Sequence, residues 1–243
     1  MSDLFSIQLQ NRQQQGRDGV WLDLPTTTEQ VQVALRQIGI SSDNPQGLFI
    51  SGYFAEEEKR IAIPYNMILA SSVDELNFLA ARLETLSAGE RAELNAALQA
   101  PQSELSSIGK ITDFPENVDY YVHLPDVRGP AQLGDYYLNC SGMVDMPEEW
   151  KGGIDTAQFG RYVAQQEQGA FTQYGYLVKS GDAWQKIHEG QPVPEEYRVL
   201  SFPAPEILRD SANVPLPVQP ETAPQKVIPI IPVSYTHLTL PTN

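Results

Sequence analysis

The alternation of apolar and polar residues near the beginning of the chain predicts β-strands. Residues 3–10 (DLFSIQLQ) and residues 18–24 (DGVWLDL) place their larger apolar side chains on one face, and a polar loop joins them as a hairpin. Residues 47–54 (GLFISGYF) follow as a third strand.

A helix is predicted between the second and third strands. Thr26-x-x-Glu29 is a capping box, in which a hydroxyl and a carboxylate each satisfy a free backbone N–H at the start of a helix. Gly39 stands where a glycine commonly ends a helix. The apolar positions at helical spacing are Val31, Ala34, Leu35 and Ile38. The β-β-α-β order predicts a small α+β domain over residues 1–68.

Two further capping boxes predict a helical middle domain over residues 69–112. Ser72-x-x-Glu75 and Ser87-x-x-Glu90 each precede a run of apolar residues at helical spacing. The inward positions are Val73, Leu76, Leu79, Ala80, Leu83 and Leu86 in the first helix, and Leu94, Ala97 and Leu98 in the second.

The segment 113–202 predicts a second α+β domain. Residues 117–124 and 170–178 favour strands, and residues 155–163 favour a helix with an aspartate as its N-cap. Residues 131–140 favour another helix, with packing positions at Leu133, Tyr136, Tyr137 and Cys140. The fold class is therefore α+β, with three small domains that we expect to form an elongated arrangement.

The composition changes after Phe202. Residues 203–233 contain eight prolines and little apolar periodicity, which predicts an extended, disordered tail over residues 203–243. The last eleven residues, VSYTHLTLPTN, resemble the read-through of a sequencing adapter, so we assign them no function.

The net charge of the chain indicates which classes of partner the protein can bind. The 243 residues include 31 Asp and Glu against 16 Lys and Arg, which gives a formal net charge of −15. From Asp113 to Asp155 there are nine acidic and two basic residues. Such a surface repels nucleic acids and membranes and favours basic partners. The start of the chain lacks a signal peptide or membrane-spanning pattern, and Cys140 is the only cysteine, so we expect a cytoplasmic protein.

Motifs for catalysis or for cofactors are missing from the sequence. His123 and His188 are far apart, and no H-x-x-x-H or C-x-x-C spacing indicates a metal site. Gly109-Lys110 resembles the end of a phosphate-binding loop, but Glu104 stands where that loop needs its first glycine. Cys140 is expected to be a buried, small apolar residue. We therefore predict no enzyme activity, no metal and no cofactor.

Residues 133–176 carry the most specific pattern in the chain. Carboxylates alternate there with tyrosines and short helices, and the stretch ends in IDTAQFGR at residues 154–161 and YGY at residues 174–176. The first strands add Gly16, Gly19, Trp21 and Pro25. This order resembles the antirestriction proteins of the ArdA family, whose members are acidic mimics of duplex DNA.

The resemblance implies a homodimer that competes with DNA for the binding groove of type I restriction-modification enzymes, in particular their methyltransferase core. It implies no direct binding to nucleic acid. The carboxylates expected to bind the partner are Glu56, Glu57, Glu58, Asp74, Glu75, Glu84, Asp113, Glu116, Asp119, Asp126, Asp135, Asp145, Glu148, Glu149 and Asp155. The residues expected at the dimer contact are Tyr136, Tyr137, Met143 and Val144, and the alternative for them is a place in an ordinary core.

Two other classes of function stay open at this point. An acidic scaffold module would bind its partners through the proline-rich tail and would lose its activity when residues 203–243 are deleted. An enzyme would bring carboxylates with shifted pKa values together in a cleft, whereas a DNA mimic would distribute them over a convex surface.

Overall fold

The computed structural model describes residues 4–14, 18–41, 46–101 and 103–200, except for the side chain of Glu58. The sequence-based expectations for residues 203–243 lie outside the described residues. None of the helices in the described ranges is both long and apolar enough to span a membrane.

The first sheet confirms the three predicted strands. It consists of β1 (Phe5–Asn11), β2 (Val20–Leu24) and β3 (Leu48–Phe54), in the antiparallel order β2-β1-β3. Every second residue of β1 is buried, as the alternation predicts. A register shift between Gln8 and Leu9 marks a β-bulge against β3.

Helix α1 (Thr28–Gln37) confirms the predicted helix but not its capping residues. The N-cap is Thr27, whose side chain accepts from the backbone N–H of Gln30, and the Gln30 side chain closes the capping box. The predicted pair, Thr26 and Glu29, lies one residue before the observed pair. The sequence pattern did not distinguish the two, because glutamine closes a capping box as well as glutamate does. The amide of Thr26 instead donates to the side chain of Asn77, 2.7 Å away.

Both capping boxes of the helical middle segment are confirmed. The helices that follow β3 are α2 (Tyr65–Ala70), α3 (Val73–Glu84), α4 (Ala88–Gln99) and α5 (Ile108–Thr112). The backbone N–H groups of Ser72 and Ser87 donate to the Glu75 and Glu90 carboxylates, each over 2.7 Å. The predicted inward residues of α3 are buried.

The rest of the described chain contains a second sheet and three helices. The strands are β4 (Tyr121–Leu124), β5 (Ala170–Thr172) and β6 (Gly175–Lys179), in the order β4-β6-β5. The helices are α6 (Pro130–Asp135), α7 (Glu148–Lys151) and α8 (Thr156–Glu167). The strand predicted over residues 117–124 is shorter, because 3₁₀ turns occupy Phe114–Glu116 and Val118–Tyr120. The strand predicted over residues 170–178 is a hairpin of two strands.

The chain after α6 continues as a π-helical turn, Tyr136–Cys140, which corrects the prediction for Cys140. The Ser141 amide donates to the Tyr136 carbonyl oxygen, five residues back, over 2.9 Å. This wider turn shifts the residues that follow relative to an α-helix, so Leu138 is buried and Cys140 is exposed. Cys140 is therefore not the buried apolar residue that α-helical spacing predicted.

Two groups of buried apolar residues stabilise the fold. The larger core begins at Leu4, ends at Leu200, and contains residues from the first sheet, from α1 to α5 and from the second sheet. The smaller core contains Val127, Leu133, Ala164 and Tyr176. The three domain limits at residues 68, 112 and 202 stay predictions. The observed class is a mixture of helices and sheets consistent with α+β.

Candidate functional site

The carboxylates predicted to bind a partner differ in their exposure. Eleven of the fifteen belong to exposed residues: Glu56, Glu57, Glu84, Glu116, Asp119, Asp126, Asp135, Asp145, Glu148, Glu149 and Asp155. Glu75 is half-buried in its capping box. Asp74 and Asp113 are buried, and the side chain of Glu58 lies outside the described part.

Asp113 does not belong to any partner-binding surface, which corrects its prediction. Its residue exposure is 0%, and its carboxylate accepts the backbone N–H groups of Ile187, His188 and Glu189 over 3.3, 2.6 and 3.3 Å. Asn117 accepts the Gln185 amide over 2.7 Å. Asp113 therefore holds a distant, irregular part of the chain against α5.

Asp74 has the same kind of structural role, so its predicted contact with a partner is also corrected. Its carboxylate accepts the N–H groups of Val199 and Leu200 over 2.8 and 2.5 Å. Burial raises the pKa of Asp74, and the hydrogen bonds from these two amides oppose that shift. Asp74 and Asp113 together anchor residues 180–200, which we call the 180–200 segment.

Several of the exposed carboxylates already have local partners. Glu116 pairs with Arg82, and Glu148 pairs with Lys151 over 2.6 Å. Asp155 caps α8 by accepting the Gln158 amide over 2.9 Å, as the sequence predicted. Such exposed pairs contribute at most about 1 kcal/mol to stability, so they leave these groups free to exchange partners.

The exposed carboxylates without an ion-pair partner among the described residues include Asp119, Asp126, Asp145 and Glu149. They come from the turn before β4, the turn after it, and the segment around α7. These four side chains therefore carry negative charge that no Lys or Arg among the described residues neutralises in an ion pair. The described residues include no group of three or more His, Cys, Asp or Glu side chains that could hold a metal ion.

Glu93 is a half-buried acidic residue that sequence reasoning did not select. It lies on α4 beside Glu90 and Asp119, and its Oε1 atom is buried without a hydrogen-bond donor among the described residues. Burial, followed by repulsion from those two carboxylates, raises the pKa of Glu93 to about 7. The i, i+3 spacing of Glu90 and Glu93 was the only available signal in the sequence.

Replacing Glu93 with glutamine is expected to stabilise the protein at pH 8 but not at pH 4. The unfolded chain loses this proton near pH 4.5 and the folded protein near pH 7, so stability falls as the pH rises through that window. The difference between these two pKa values alone corresponds to about 3 kcal/mol in the free energy of unfolding. Solvent screens a partly exposed carboxylate, so we expect a difference of about 1 kcal/mol between the two proteins at pH 8. Urea unfolding of both proteins across that pH range measures the difference. An equal difference at both ends would contradict the assignment.

The residues predicted to form a dimer contact lie on or just after the π-helical turn. The Tyr137 hydroxyl donates to the Glu167 carboxylate over 2.5 Å, and the Tyr176 hydroxyl donates to the same group over 3.0 Å. Met143 is 76% exposed, whereas Tyr136 and Val144 are half-buried. Their contact with a second copy stays a prediction.

Helices α6 and α8 cross at two glycines, which explains one residue of the sequence block IDTAQFGR. A Cβ atom on Gly160 would lie 2.7 Å from the backbone nitrogen of Gly134 and closer still to the Pro130 carbonyl oxygen. A Cβ atom on Gly134 would lie 2.7 Å from the carbonyl carbon of Thr156. The crossing brings the two backbones into contact, so only glycine fits at either position. It places Asp135 and Asp155 at the ends of packed helices.

Comparison with known proteins agrees with the sequence pattern. The family model described as Antirestriction protein (ArdA) matches residues 15–178, which is more than half of the chain. The match ends inside β6, so the 180–200 segment lies beyond it. No curated protein matches the chain. The extent of this match shows that the chain belongs to the ArdA family of antirestriction proteins.

Proposed function

We propose that this protein inhibits type I restriction-modification enzymes by occupying, in place of DNA, the binding groove of their methyltransferase core. The observation that carries the proposal is the exposure of the acidic residues between Asp113 and Asp155. All nine except Asp113 are exposed, and only Arg128 and Lys151 oppose them in that stretch. The family itself consists of antirestriction proteins and is not a known family of enzymes.

The physical basis is the similarity between the negative charge of this protein and that of the duplex DNA that the groove binds. Duplex DNA carries about one negative charge per 1.7 Å of its axis, so a net charge of −15 corresponds to about 25 Å of duplex. Clustered carboxylates steer the protein towards a positive groove and accept charged hydrogen bonds from its Lys and Arg side chains. Among the described residues, Asp119, Asp126, Asp145 and Glu149 have no Lys or Arg partner to displace before they bind.

The proposal includes a homodimer, in which Tyr136, Tyr137, Met143 and Val144 contact a second copy. Met143 supports this assignment, because a methionine side chain that is 76% exposed gains favourable burial in an apolar interface. Two copies related by a two-fold axis would present twice the length of acidic surface. Type I enzymes recognise split DNA sites, and a longer decoy suits such a target.

The test is competition for a purified type I methyltransferase between the full chain and duplex DNA at several salt concentrations. We expect mutually exclusive binding that weakens steeply as salt increases. The double variant Asp145→Asn/Glu149→Gln is expected to bind about tenfold more weakly at low salt, because two charges are lost at the contact. Its affinity is also expected to depend less on salt.

The matched control removes two charges elsewhere. Glu195→Gln/Glu196→Gln alters two exposed carboxylates in the 180–200 segment, and we expect binding within about twofold of the original protein. An equal loss of affinity in the two double variants would mean that the net charge of the protein, and not a defined surface, determines binding. Simultaneous binding of protein and DNA would contradict mimicry. Binding that requires residues 203–243 instead would support the scaffold alternative.

A further inference from the structure

Strand β2 forms an open edge of the first sheet. It pairs with β1 on one side, and no described strand pairs with its other side. Trp21 is 50% exposed and Asp23 is also exposed, although both lie inside the strand. An edge of this kind presents unpaired backbone N–H and C=O groups, which can accept another strand.

Helix α1 runs beside this edge and makes it one wall of a groove. The groove has a volume of about 350 Å³ and is lined by residues Val20 to Asp23 of β2 and by one face of α1. On the helix, Glu29, Val33 and Gln37 follow one another about one turn apart along the groove. Val33 is 46% exposed, so an apolar side chain remains available on this wall.

The chemistry of the groove is apolar and negatively charged. The Trp21 ring extends from β2 across the sheet towards β3, where it makes an edge contact with Phe54 at 6.4 Å between ring centres. Asp23 and Glu29 supply carboxylates, and no Lys or Arg belongs to the described residues that line the groove. The Asp23 carboxylate accepts the Ser6 hydroxyl over 2.6 Å, which fixes its position beside Trp21.

We propose that β2 and α1 form a docking groove for an extended, arginine-bearing segment of a partner protein, which adds to the sheet as a fourth strand. Strand addition beside a helix satisfies the free backbone groups of β2, and alternate side chains of the added strand face the groove. An apolar side chain packs against Val33, and a guanidinium pairs with Asp23 or Glu29. The same two carboxylates repel a nucleic acid backbone.

The groove differs from the acidic surface of the proposed function, so it can be tested without any restriction enzyme. The probe is a short peptide in which arginine alternates with valine, added to the full chain. We expect shifts of the Trp21 indole N–H signal in NMR spectra and slower exchange of alternate amide protons within Val20–Leu24. A peptide in which glutamate replaces each arginine is expected to leave both signals unchanged.

Two variants with equal charge change separate this groove from general attraction. Asp23→Asn/Glu29→Gln is expected to bind the peptide about fivefold more weakly, because two charged contacts are lost. Glu195→Gln/Glu196→Gln is expected to bind it within about twofold of the original protein. Equal binding by both variants, or binding without protection of β2 amides, would overturn the proposal. Protection that grows with protein concentration and without peptide would also overturn it, because a second copy would then be the occupant.

Discussion

Replacing Gly160 with alanine is expected to destabilise the protein by about 3 kcal/mol or more. The added Cβ atom would lie 2.7 Å from the Gly134 nitrogen and would overlap the Pro130 carbonyl oxygen. Both atoms belong to the backbone of α6, so no side-chain rotation relieves the overlap. Helices α6 and α8 must separate, and that separation opens the smaller core around Leu133 and Ala164.

Urea unfolding measured by circular dichroism tests this expectation. Gly152→Ala is the matched control, because nothing lies within 4 Å of a Cβ atom at that exposed position. We expect the control to be neutral or slightly stabilising. Because Asp135 and Asp155 lie on the two separated helices, Gly160→Ala is also expected to weaken inhibition of a restriction enzyme. A free energy of unfolding within about 0.5 kcal/mol of the original protein would contradict the observed closeness of the two helices.

Replacing Asp113 with alanine is the second large effect, with an expected loss of about 3 kcal/mol. The change removes the buried acceptor of three partly buried N–H groups, those of Ile187, His188 and Glu189. Those groups then lose their carboxylate partner, and a hydrogen bond to a charged group contributes about 1.5 to 3 kcal/mol. We expect the 180–200 segment to detach from α5, although the second anchor at Asp74 still holds its end.

Amide hydrogen exchange checks this result at the level of single residues. Faster exchange is expected at residues 185–189, and a smaller change is expected at Val199 and Leu200. Asp182→Ala is the control, because Asp182 is exposed and its carboxylate accepts only the nearby Ser180 hydroxyl among the described residues. Unchanged exchange at residues 185–189 in Asp113→Ala would show that other contacts hold the segment. Equal exchange rates at residues 185–189 in Asp113→Ala and Asp182→Ala would contradict a specific anchor at Asp113.

The two experiments also separate structure from function. Gly160 lies inside the stretch that matches the ArdA family model, whereas the 180–200 segment follows that stretch. Loss of the crossing therefore disturbs the surface that the proposal assigns to the restriction enzyme. Loss of the Asp113 anchor mainly disturbs the 180–200 segment, which lies beyond the matched residues.

The sequence by itself determined the elements that depend on near neighbours. Capping boxes at Ser72 and Ser87 identified α3 and α4, because both partners of each box lie within three residues. Alternation identified β1 to β3, because side chains change face at every residue of a strand. The block at residues 154–161 also indicated the family, although the pattern did not explain its glycine.

Only the tertiary structure decided which carboxylates serve the fold and which face the solvent. Asp74 and Asp113 look like any other acidic residue in the sequence, yet their amide partners lie about 125 and 75 residues further along the chain. The half-buried position of Glu93 and the exposure of Cys140 likewise depend on how α4 packs and on one widened helical turn. Local patterns record a residue's polarity and period, whereas a buried charge is satisfied by groups that the chain brings together only on folding.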